Sequence, residues 1–298
     1  MPVIPELDNR HFNPREFGVF FAQDSNANMK SNSKPTIGIA LSGGGARGIA
    51  HIGVLKALLE NGIEPTVISG ASAGSIVGAL YAAGKTPEEM LTFVKDSNLF
   101  RLIKVGLPNR GFTNLNYLRE RLSQVIVNDS FEALSKRLTV AIANLHTGIC
   151  EMKDSGSLFD VIVASCSIPL VFKPIELNGQ LYVDGGLLNN LPTTPLLNTT
   201  DFIIGVNVMP QVALHDTSLQ SLMGIATRCF ELSIVSNTLP DLERCHFVIE
   251  PKAVHSYHIF QFNQYEALYQ IGYEATLEAL PELKNRITQW SSSSKKSN

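Results

Sequence analysis

Apolar residues in this chain alternate between short unbroken runs and longer stretches with helical spacing. Residues 35–41, 64–69, 138–144, 180–183, 201–208 and 246–250 are runs of four to eight residues, rich in Val and Ile, and read as buried strands. Between them lie helical patterns. Residues 49–60 carry Ile49, Ile52, Leu55 and Leu59 on one face and stop at Asn61-Gly62. Residues 75–84 read as a small-residue helix closed by Gly84, and helices are also predicted over 158–165, 218–237 and 263–280. A turn at Gly148 leads into a return strand through 149–152. Strands alternating with helices predict a three-layer α/β/α fold around a mostly parallel central sheet.

Residues 85–134 read as mainly helical. Thr86 is placed to cap, Pro87 falls at the first helical position, and a second helix is expected over 116–127. The pattern breaks over 98–113, where apolar residues surround Pro108 and two glycines. That piece is either a lid with an apolar inner face or an irregular connection. Residues 1–34 are polar except for Phe17-Gly18-Val19-Phe20-Phe21 and read as a partly ordered extension, residues 35–285 as the folded domain and 286–298 as a polar tail.

Composition narrows the function classes. The 298 residues are 44% hydrophobic and 17% charged with a net charge of −3, enough apolar material for a large core and no basic excess for nucleic acid. Cys150, Cys166, Cys229 and Cys245 are scattered, without metal-ligand spacing, and read as reduced thiols. We expect no metal and no cofactor. Neither a leader pattern nor a run of about 18 apolar residues is visible, so a cytoplasmic protein without a transmembrane segment is expected.

The chemistry concentrates at three turns. Gly70-Ala71-Ser72-Ala73-Gly74 joins a predicted strand to a predicted helix, the setting of a nucleophile elbow, where glycines at 70 and 74 permit a sharp turn that exposes Ser72 Oγ. A plain glycine-serine turn capping a helix is the alternative. Upstream, Ser42-Gly43-Gly44-Gly45-Ala46-Arg47-Gly48 follows the first strand; its N–H groups suit an oxyanion, and Arg47 adds positive charge. Gly43, Gly45 and Gly48 also satisfy a dinucleotide-binding spacing, but the second strand ends in Ser69-Gly70-Ala71-Ser72, with no acid for a ribose. Downstream, Asp184 precedes Gly185 and Gly186, where it can reach across a site or serve only an Asx-turn.

Together these turns resemble the patatin-like phospholipases, whose pattern is a glycine-rich turn, a G-x-S-x-G serine and an Asp-Gly-Gly or Asp-Gly-Ala aspartate. The likeness spans about residues 35–275 and includes Ala50-His51-Ile52-Gly53-Val54-Leu55 and residues 164–174 before the aspartate. It implies a serine acyl hydrolase with Ser72 as nucleophile, Asp184 as base and then acid, and Gly43, Gly44 and Gly45 as the oxyanion hole. The expected substrate is a phospholipid or lysophospholipid met at a membrane surface. A Ser-His-Asp triad is the nearest rival; His215, His246, His255 and His258 follow Asp184, though none stands in a glycine-flanked turn, and His51 reads as a helix residue beside the glycine turn. An acyltransferase or thioesterase using the same pair, or a lipid-binding scaffold without turnover, would share these motifs.

Overall fold

The computed structural model describes residues 34–97, 115–211 and 222–293. The expected extension over 1–33, the candidate lid over 98–114 and residues 294–298 lie outside the described residues, as does His215.

In chain order the elements are β1 (Ile37–Leu41), α1 (Ala50–Glu60), β2 (Val67–Ala71), α2 (Ala73–Ala82), α3 (Pro87–Asp96), α4 (Asn116–Ser123), β3 (Arg137–Asn144), β4 (Cys150–Lys153), α5 (Leu158–Ser165), β5 (Ile175–Leu177), β6 (Gln180–Asp184), β7 (Phe202–Val206), α6 (Leu222–Arg244), β8 (Phe247–Ile249) and α7 (Tyr265–Ser293). The strands form one sheet in the order β5-β6-β3-β2-β1-β7-β8, with β4 also paired to β3. From β3 across to β8 every pairing is parallel, whereas β4, β5 and β6 add antiparallel pairings beyond β2.

Alternation along the central strands sorts side chains between two layers. Ile37, Ile39 and Leu41 of β1 and Phe202, Ile204 and Val206 of β7 join a core with α1, α2, α3, α4, α5 and α7. On the opposite face Ala40 and Ile203 meet Leu191, Leu196 and, from α6, Leu242. That face is built from small residues. Ser69 Oγ donates to the Pro192 carbonyl at 2.5 Å, and a Cβ at Gly205 would stand 2.5 Å from Cys245 Sγ, so the 190–200 segment and α6 ride close to the sheet.

Helix starts follow local chemistry. At α3, Thr86 Oγ1 accepts from the Glu89 N–H and Glu89 returns the bond to Thr86 N–H, a capping box with Pro87 behind it. The final helix departs from expectation: it passes Pro281 and runs to Ser293, so the tail expected from 286 begins as helix. Leu280 and Leu283 are buried, and Ile287 and Trp290 pack on the core, which offsets the single backbone bond lost at proline. β5 is likewise additional to the sequence reading.

α7 lies against α1 at unusually short range. A Cβ on Gly53 would fall 2.0 Å from the Tyr269 carbonyl oxygen, and one on Gly272 would fall 2.0 Å from that of Ala50. The two backbones therefore touch through paired glycines, with Tyr273 Oη donating to Glu60 at 2.8 Å at the rim. Gly272→Ala should lower unfolding stability by about 1–3 kcal/mol, because the helices must part to admit one methyl. Urea unfolding measures this, with Glu278→Ala on the exposed side expected within about 0.5 kcal/mol of the parent.

Candidate active site

Strand register explains how residues far apart in sequence meet. β2 runs parallel to β3 and ends with Ala71 opposite Ala141; β6 runs antiparallel to β3 and ends with Asp184 opposite Ile142. The two strands therefore arrive head-on along one neighbour. Ser72 follows the end of one and Asp184 is the end of the other.

Ser72 has φ 49° and ψ −123°, a conformation that ordinary side chains rarely adopt and that costs about 1–3 kcal/mol. Its surroundings hold it there. The Ser72 N–H donates to Ser165 Oγ at 2.9 Å, Ser165 Oγ donates to the Ala141 carbonyl at 2.8 Å, and the Ser72 carbonyl accepts from Ser75 N–H and Oγ. Gly74 makes the turn possible by close approach, since a Cβ there would lie 2.2 Å from the Leu41 carbonyl oxygen. Gly70 faces the same first turn of α2, and Gly48 meets Ala73. Oγ thus stands at the N-terminus of α2, where the helix favours negative charge.

Asp184 is buried and faces Ser72. Its Oδ1 accepts the Gly186 N–H at 2.8 Å, so the Asx-turn considered from sequence is present, and the carboxyl lines the same cleft as Ser72. Burial raises its pKa to about 7, against which the Ser72 hydroxyl and the Gly186 N–H act in the lowering direction. Gly185 presses on Ala141, completing the junction with β3.

The glycine turn supplies donors, though not all three expected. The Gly43 N–H is spent on the Asn190 carbonyl at 3.1 Å, which corrects its reading as an oxyanion donor. Gly44 and Gly45 N–H groups have no protein acceptor among the described residues, and both glycines line the cleft with Ser72 and Asp184. Arg47 also differs from expectation. Its Nε donates to the Tyr257 carbonyl at 2.7 Å and an Nη to that of His255 at 3.3 Å, so it clamps the turn to the 255–257 segment instead of facing the cleft.

Among the described residues no histidine lines this cleft. His51 is buried with Nε2 2.8 Å from the Ser42 carbonyl, and burial lowers its pKa to about 4, so the neutral ring donates to the glycine turn. His246 stacks on Phe202, and His255 and His258 bond to their own loop.

The sequence reading missed α6 as a wall of the site. Phe230, Glu231 and Ile234 close the cleft together with Ile168, Met209 and Ile259, leaving a volume of about 10 Å³. α6 also holds the aspartate loop: Asn237 Nδ2 donates to the Gly186 and Leu187 carbonyls, its Oδ1 accepts the Asn190 N–H, and Ser233 Oγ donates to Leu187. The one hint in the sequence is Asn237 and Thr238 standing beside apolar neighbours at helical spacing.

Comparison with known proteins adds a name to this geometry. The chain is similar to an uncharacterized NTE family protein of Mycobacterium tuberculosis, 32% identical over 183 residues covering 60% of this chain and 51% of that one. It is 27% identical to lysophospholipase nte1 of Aspergillus fumigatus over 84% of this chain and 18% of that one. The chain thus spans about half or less of the length of these curated relatives. Among solved structures it is similar to human GIVD cytosolic phospholipase A2, with 12% identity, TM-score 0.48 and coverage of 87% and 59%, and to VipD from Legionella pneumophila, with 15%, 0.44, 80% and 67%. The patatin-like phospholipase family model matches residues 39–197, just over half of the chain and every one of the three turns described above, and this protein therefore belongs to that family.

Proposed function

We propose that this protein is a lipid acyl hydrolase working through a Ser72–Asp184 dyad and an acyl-enzyme intermediate. The observation that carries the reading is the buried Asp184 carboxylate facing Ser72 Oγ beside the unengaged N–H groups of Gly44 and Gly45. Asp184 accepts the Ser72 proton as Oγ attacks the ester carbonyl, and the glycine N–H groups receive the developing oxyanion. Asp184 then protonates the departing alcohol. In the second half a water replaces the alcohol, gives its proton to Asp184 and releases the fatty acid. A base with a pKa near 7 suits this exchange, since it takes and returns a proton at neutral pH.

A phospholipid or lysophospholipid ester is the proposed substrate, supported by the family and by the lysophospholipase activity named for the fungal relative. Presentation at a membrane surface is supported by α6, whose inner face lines the cleft while Leu222, Ile225, Leu232 and Leu239 are exposed along its outer face. Among the described residues no helix is long and apolar enough to cross a membrane.

Fatty-acid release from mixed phospholipid vesicles in EDTA is the direct test. We expect release by the parent and a loss of at least about 10³-fold in both Ser72→Ala and Asp184→Asn at matched folding. Undiminished release in either variant would sink the dyad.

The pH dependence has a definite sign. Asp184 must be ionised to act, so the rate should rise through pH about 7, with the neighbouring Glu231 held by Arg228 at 3.2 Å. Stability runs the other way. The folded-state pKa is raised above the unfolded one, so this group's contribution is fully present below pH about 4 and is lost as pH rises through about 7, a difference on the order of 4 kcal/mol. Asp184→Asn should therefore gain stability over the parent at pH 8 but not at pH 4, as measured by denaturant midpoints; equal gains at both would show that the carboxylate's ionisation is not the cause.

A further inference from the structure

Asn190 is fully buried, and most of its polar groups are accounted for. Its carbonyl accepts the Gly43 N–H, its N–H donates to Asn237 Oδ1, and its Nδ2 reaches Thr238 Oγ1 at 3.4 Å. Its Oδ1 has no protein partner among the described residues. A buried acceptor left without a donor is disfavoured, and such groups in native proteins call for a reason.

The position of that oxygen supplies one. A Cβ placed on Gly43 would lie 2.5 Å from Asn190 Oδ1 and 3.1 Å from Ser72 Cβ; a Cβ placed on Gly186 would lie 2.7 Å from Oδ1 and 3.0 Å from Asp184 Oδ1. Oδ1 therefore packs close to both glycines, and Asn190 lines the same cleft as Ser72 and Asp184. Asn190 Oδ1 and Asp184 Oδ1 are therefore no farther apart than the sum of their distances to that Gly186 position, and two oxygens bridged by one water stand up to about 5.6 Å apart. The cleft volume of about 10 Å³ matches a single water.

Resting on the dyad reading, we infer that Asn190 holds the water that hydrolyses the acyl-Ser72 intermediate and so biases the enzyme toward hydrolysis over acyl transfer. One water hydrogen goes to Asp184 as the water oxygen bonds to the acyl carbon, and the carbonyl electrons move to the oxygen facing Gly44 and Gly45. The other hydrogen stays on the water oxygen and points at Asn190 Oδ1. Collapse breaks the bond from carbon to Ser72 Oγ, Asp184 returns its proton to Oγ, and a carboxylic acid leaves with Asn190 still accepting its O–H. A carboxamide oxygen is too weak a base to compete for the proton, so it orients without titrating. During acylation the departing alcohol occupies the same place but carries carbon where water carries its second hydrogen. Acylation accordingly makes no demand on Oδ1.

The test uses the p-nitrophenyl ester of a short acid with methanol added, comparing the parent, Asn190→Leu, which keeps the shape without the acceptor, and Asn190→Ser, which restores a hydroxyl. In Asn190→Leu we expect fluorophosphonate labelling of Ser72 and kcat/KM near parental values, with kcat and KM falling together by about 10²-fold, the scale of losing a positioned reactant. The ratio of methyl ester to free acid should rise in Asn190→Leu and recover part of the way in Asn190→Ser. A fall in labelling rate equal to the fall in kcat, or an unchanged product ratio, overturns the inference by assigning Asn190 a structural part alone. A parent that neither labels at Ser72 nor releases p-nitrophenolate overturns the dyad reading itself, and this inference with it.

Discussion

Everything at the site depends on one strained residue. Ser72 holds φ 49°, and no side chain of its own stabilises that conformation; the surrounding structure must supply the difference. It does so through backbone proximity. Gly74 presses against the end of β1, Ser165 bridges the Ser72 N–H to the Ala141 carbonyl of β3, and Ser75 closes on the Ser72 carbonyl. Because these partners sit on buried elements, the cost of the turn is spread over the core that the parallel strands create. The elbow is a property of the sheet.

The same neighbour, β3, brings the second functional group to the first. Asp184 enters on a strand antiparallel to β3, and that reversal is what brings it to Ser72: a parallel β6 would present its start, not its end. Alignment then has to be kept after the strand stops, where Gly185 and Gly186 leave the chain free to move. α6 takes over there, with Asn237 bonding both flanking carbonyls and the Asn190 N–H. Meanwhile Asn190 accepts from Gly43, so the glycine turn, the loop after Asp184 and the helix that walls the cleft are joined through one residue.

Much of this was legible in the chain itself. The central strands are uniformly apolar because both faces are covered, and the three glycine-rich turns mark where backbone must approach backbone. What was not legible depends on partners distant in sequence. Nothing in Ser42-Gly43-Gly44-Gly45 says that the Gly43 N–H is already taken, or that Arg47 turns to carbonyls more than 200 residues away. The apolar face read from sequence ends the last helix at 280, whereas the burial of Leu283 that carries it past Pro281 is a tertiary effect. α6 hid its part because apolar residues fall on both its inner and outer faces, which blurs any single stripe; Phe230 and Ile234 point in while Leu232 and Leu239 point out.

Burial is the common cause of the site's strengths and costs. It lifts Asp184 to a pKa where a carboxylate can exchange protons at neutral pH, and by the same desolvation it makes the ionised form the less stable one. It also narrows the space beside Ser72, where the cleft among the described residues has a volume of about 10 Å³ and is walled by Phe230 and Ile234. The helix bearing them is the helix whose Asn237 secures the aspartate loop. The wall of the cleft and the loop that carries Asp184 thereby share one support, because the same helix supplies Phe230 and Ile234 to the first and Asn237 to the second. In the position α6 holds, its apolar side chains Phe230 and Ile234 shield Asp184 from solvent, and that burial is what raises the carboxyl's pKa.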